Sequence, residues 1–188
     1  IHLKAGNLEK AVRHASLAID LPNTPSDVFG ARGHAYQSMG KPELALEDFE
    51  ELARLQPTNP LAHEWVGAAH MKCGDTQKAL AAFSEMVRLS PERPKGYVGK
   101  AVALMSLGRE DDAMAMCNSA LELAPNDTDA LLNRGVLHAH RGHHVRAIDD
   151  YDSALKFAPG SIRAYVLRGD SLRALGKCSP AEQDLDKA

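Results

Sequence analysis

The chain is poor in aromatic residues and in cysteine. Aromatics fill 5% of its 188 positions, with a single Trp. Strands draw on aromatic and β-branched side chains, so a sheet-based fold is disfavoured. Cys73, Cys117 and Cys178 are far apart and form no CxxC pair. That argues against a disulfide framework and fits a reducing compartment. Positive charge is also lacking: net charge is −3 and the pI is about 6.3. No bulk field exists to hold nucleic acid or an anionic membrane. No apolar run approaches the roughly 18 residues that would span a bilayer. The chain opens on Ile1 with no signal peptide, so the expectation is a cytoplasmic piece of a longer protein. What is abundant is alanine, at 29 residues. Alanine together with many Leu, Glu, Lys and Arg favours helices.

Self-comparison gives the organisation. Gly6, Gly40, Gly74, Gly108, Gly142 and Gly176 lie 34 residues apart without a gap. Ala11, Ala45, Ala79, Ala113, Ala147 and Ala181 keep the same period, as do Pro57, Pro91, Pro125 and Pro159. With Ser26 as position 1, Gly33 is at 8, Tyr36 at 11, Gly40 at 15, Ala45 at 20, Phe49 at 24 and Pro57 at 32. Gly40 separates two apolar-periodic segments and can take the turn conformation. Pro57 stops the second segment. Asn59-Pro60, and later Asp127 and Ser161, read as N-caps. Each unit is therefore helix A, a turn, helix B and a Pro-marked turn. Small residues at 8 and 20 let the helices approach, and a bulky residue at 24 (Phe49, Phe83, Tyr151) is expected to fill the space between units.

These residues resemble the tetratricopeptide repeat pattern over the whole chain. The resemblance implies an all-α fold, a right-handed α-solenoid of stacked antiparallel helix pairs. It divides one array, 1–188, into full repeats 26–59, 60–93, 94–127 and 128–161. Partial repeats fall at 1–25 and 162–188, so the chain would open inside a helix A and close inside a helix B. Departures occur at Ala101 (position 8), Cys117 (position 24), and His70 and His138 (position 11). Pro22 and Pro25 stand out of register, which predicts a looser linker over 21–26.

Position 7 is Arg32, Arg134 and Arg168 where position 23 is Asp48, Asp150 and Asp184. Val66 and Lys100 at position 7 face Ala82 and Met116 instead. Charges that recur together predict a structural guanidinium–carboxylate bridge between helices A and B.

Catalytic chemistry is not expected. There is no P-loop, GxSxG or HExxH. His138, His140, His143 and His144 form the one dense cluster. His140 and His144 have ligand spacing, but Gly142 interrupts the helix between them. No metal, cofactor or catalytic residue is assigned. Cys73 and Cys117 read as structural thiols.

In the family, helix A lines a concave face. The resemblance carries Trp65, Ala68, Met71, Val98, Val102, Met105, Leu132, Asn133, Val136, Arg163 and Arg173 onto it. Trp65 has two readings, a groove anchor or a ring packed on the neighbouring helix A. Asn133 is expected to hold a peptide backbone, and Arg163 and Arg173 to add positive charge. The family's two-carboxylate clamp for chaperone tails requires Lys, Asn, Asn, Lys and Arg where this chain has Val98, Val102, Asn133, Arg163 and Leu167. Only Asn133 matches outright, so that ligand is disfavoured. The expected function is a non-catalytic scaffold binding a peptide or helical segment of another protein. The rivals are a self-associating segment with apolar ends and a recruiting arm of a larger enzyme.

Overall fold

The computed structural model describes residues 5–187. Among these there are eleven helices and no strand. They divide into two compact units between Pro91 and Glu92. The first unit holds α1 (Ala5–Ile19), α2 (Asp27–Ser38), α3 (Pro42–Leu55), α4 (Pro60–Cys73) and α5 (Thr76–Leu89). The second holds α6 (Pro94–Ser106), α7 (Glu110–Leu123), α8 (Thr128–His140), α9 (His144–Phe157), α10 (Ile162–Ala174) and α11 (Cys178–Lys187). The fold is all-α. Within each unit consecutive helices pack as hairpins, and α8 also touches both α6 and α10.

Local chemistry sets the helix ends. Asn59 accepts from the Leu61 amide at 3.0 Å, Asp127 from Ala130 at 2.8 Å and Ser161 from Ala164 at 3.3 Å. Each satisfies an amide that the helix itself leaves without a partner. Gly74 closes α4 with φ of 85°, a conformation that costs a Cβ-bearing residue about 1 kcal/mol or more. Gly6 differs from the later glycines of its series, because it lies in the first turn of α1. The expectation that the chain opens inside a helix A concerns residues 1–4, outside the described residues. The connection from Asp20 to Ser26 is longer than that from Gln56 to Asn59. Thr24 stabilises it by donating to the carbonyls of Ala18 (2.6 Å) and Leu21 (2.7 Å).

Packing inside a hairpin follows from size. Ala45, Ala79, Ala113 and Ala147 are fully buried. Gly33, Gly67 and Gly135 sit under the rings of Phe49, Phe83 and Tyr151. A Cβ built at these glycines would lie 2.6, 2.8 and 2.3 Å from the ring, closer than atoms can approach without moving. Where position 8 is Ala101, position 24 is the smaller Cys117, and both are fully buried. The close approach of the two helices is thus kept by exchanging volume across the contact.

The C-terminal end of the array differs from the apolar face expected of it. The exposed described side chains of α11 include Ser179, Glu182, Gln183 and Asp186, so solvent meets a largely polar surface there. At the other end Leu17 and Leu21 are exposed.

Candidate functional site

The bridging arginines come first, because they fix the helices that carry the candidate face. Arg32 donates to Asp48 at 2.7 Å, Arg134 to Asp150 at 2.6 Å and Arg168 to Asp184 at 2.6 Å, each through Nη2 with Nε as a second donor to the same carboxylate. The hydrogen bond to its aspartate raises the pKa of each arginine. The remaining Nη1 reaches in the other direction. It meets Ser16 at 3.0 Å, Asn118 at 3.2 Å and, in the third copy, the Asp152 carboxylate. Each guanidinium therefore joins three helices, its own, the following one and the preceding one. The sequence pattern pointed to two. The missed signal was a polar residue 16 positions before each arginine as well as 16 after it. The repeat with Val66 uses another device, placing His70 Nε2 3.3 Å from Glu50 on the preceding helix.

His138 lies beside the middle bridge, with Nε2 4.0 Å from an Asp150 oxygen. Burial lowers its pKa below the ordinary histidine value of 6.5, with Asp150 acting in the opposite sense. The folded chain therefore holds this proton less well than the unfolded chain does. The resulting stability is present above pH 6.5 and is lost as pH falls below it toward the depressed value. His138→Asn is expected to flatten the decline in unfolding midpoint between pH 7 and pH 5. A wild-type slope retained in the variant would assign the decline to other groups.

In the first unit, Trp65 does not stand free on a face. Its ring packs edge-on to His34 with centroids 4.5 Å apart, and 5.7 Å from the Phe49 ring. A Cβ at Gly30 would lie 2.9 Å from the indole. Trp65, half-buried, thus packs in the seam between α2 and α4. Ala68 and Met71 are half-buried.

In the second unit, Val98, Val102 and Met105 on α6, and Val136 on α8, are half-buried. Leu132, expected in the groove, instead belongs to the core around Tyr151 and Leu155. Asn133 is 2% exposed, and its Oδ1 accepts from Arg163 at 3.0 Å. Its acceptor therefore serves Arg163, a use that its reading as a peptide contact did not anticipate. Arg173 is exposed and lies 3.4 Å from Asp170.

Between α8, α9 and α10 the same unit has an open cavity of about 220 Å³. Val136, Ala139 and Leu167 give it apolar walls, and His140, His144 and Asp170 contribute polar groups. Tyr151 and Ser171 complete the lining. The histidine cluster gathers no ligand set: among the described residues no group of three or more His, Cys, Asp or Glu could hold a metal ion. His140 turns instead to Glu110 at 3.4 Å. Burial pushes the Cys117 thiol up to about 12, so at neutral pH it is the unreactive protonated form. No helix among the described residues is long and apolar enough to cross a membrane.

Comparison with known proteins agrees with this geometry. Two family models described as tetratricopeptide repeat match residues 31–94 and 70–133, together more than half of the chain. No curated protein matches the sequence. Among solved structures, a thermophilic TPR protein of Thermus thermophilus, TTC0263, is 20% identical with a TM-score of 0.76, over 87% of this chain and 92% of that one. A chain of the APC/C hetero-tetramer Cut9-Hcn1 gives a TM-score of 0.86 at 19% identity, over 97% of this chain but 36% of that one. YrrB, titled a TPR protein with an unusual peptide-binding site, is 20% identical with a TM-score of 0.62, over 98% and 91% of the two chains. Helix hairpins at a 34-residue step, the glycine-under-ring contacts and these matches together place the chain in the tetratricopeptide repeat family.

Proposed function

We propose that the chain is a non-catalytic scaffold that holds a peptide or helical segment of another protein. In the second unit that segment lies along α6, α8 and α10. One observation carries this reading. Val102 and Met105 on α6, Val136 on α8 and Leu167 on α10 are only half-buried, and Val136 and Leu167 line an open cavity. Apolar side chains kept partly in water beside a concavity are typical of a surface that binding completes. Family membership gives the general role of protein interaction, while the named face is the reading proposed for this chain.

The test is a single charge on that face. Val102→Asp is expected to weaken capture of the partner by at least about tenfold, because an unpaired carboxylate would be covered on binding. Its position on a half-exposed helix face predicts little change in the far-ultraviolet circular dichroism spectrum. Unchanged capture by this folded variant would move the binding surface elsewhere.

A further inference from the structure

We infer that the cavity between α8, α9 and α10 takes the side chain of a lysine or arginine supplied by the bound segment. This rests on the groove reading above and adds a chemical identity to it. At about 220 Å³ the cavity lies below the roughly 300–1,000 Å³ of sites that take drug-sized ligands. It suits one long side chain. Val136, Ala139 and Leu167 would accept any aliphatic stem, so the choice falls to the polar groups.

Those groups favour a cation. The Asp170 side chain is 60% exposed, and it pairs with Arg173 at a loose 3.4 Å. Arg173 is itself 58% exposed and free to swing away. His144 lines the same cavity, with its Nδ1 buried. An exposed carboxylate beside an apolar wall matches a side chain with a methylene stem and a charged head. A purely aliphatic residue would fill the walls and make no use of the Asp170 carboxylate.

The probe is a display library of random 12-residue peptides, selected on the 188-residue chain. The selected peptides are expected to carry Lys or Arg at one fixed register among apolar positions. Replacing that residue with norleucine, which keeps the stem and loses the charge, should weaken binding about tenfold. Asp170→Asn, a change at an exposed carboxylate, should remove the preference for lysine over norleucine. Ala139→Met, which fills the cavity, should weaken the lysine peptide by a similar factor. Equal affinity for lysine and norleucine, or a preference unaltered in Asp170→Asn, overturns the inference. Peptides that lack a basic residue yet lose binding with Val102→Asp overturn it and leave the groove reading standing. Peptides indifferent to both substitutions, or no selected peptides at all, count against both.

Discussion

Gly135→Ala is expected to destabilise the second unit by about 1–3 kcal/mol through overpacking. In an open helix the same change would stabilise by about 1 kcal/mol, so the sign alone is diagnostic. The added Cβ would lie 2.3 Å from Cε1 of Tyr151. Tyr151 is 1% exposed, so its ring can yield only by moving α9. The chain already contains the accommodated form, with Ala101 facing Cys117. A cycle that pairs Gly135→Ala with Tyr151→Cys should therefore cost less than the sum of its single changes. Chemical denaturation followed by circular dichroism, with amide exchange in α8 and α9 to localise the effect, measures both quantities. A Gly135→Ala midpoint equal to or above wild type would show that the ring has room to give way.

Arg134→Met should be more severe, at about 3–5 kcal/mol, since it leaves one partner of a buried pair behind. Asp150 is 6% exposed, and without Arg134 its remaining neighbour is His138 at 4.0 Å. The substitution also releases Asn118 on α7, so three helices lose a common tie. Adding Asp150→Leu should recover most of the loss, because the stranded carboxylate then disappears. The aspartate change alone would be harmful, leaving the guanidinium without its main acceptor. Arg134 is also one of the groups that lower the His138 pKa. Its removal should therefore reduce the loss of stability on the acid side of pH 6.5. A double variant no more stable than Arg134→Met would locate the damage in lost packing of the arginine stem.

The glycine, alanine and proline periods made the helices and their pairing legible, because each marks a local backbone or contact requirement that recurs. The arginine–aspartate pairs were legible for the same reason, since a contact repeated three times leaves a correlation in one sequence. Single events left none. Whether Trp65 faced outward depended on Gly30 opposite it, where the missing side chain makes room for the indole. Asn133 drew its partner from Arg163, 30 residues on, and neither residue type recurs at those positions. The cavity escaped notice because it forms from three helices whose apolar residues are individually ordinary. Leu132 shows the limit of carrying a face over by position, since a one-step rotation on a helix separates groove from core.

The small residue opposite Ala101 has a consequence for experiment. Cys117 is fully enclosed, whereas Cys178 is exposed. A thiol reagent can modify Cys178 directly but can reach Cys117 only when the second unit opens. Modification of Cys117 therefore clocks the breathing of that unit, and under fast reclosing its rate reports the free energy of opening. The repeat that traded an aromatic ring for a thiol carries its own timer.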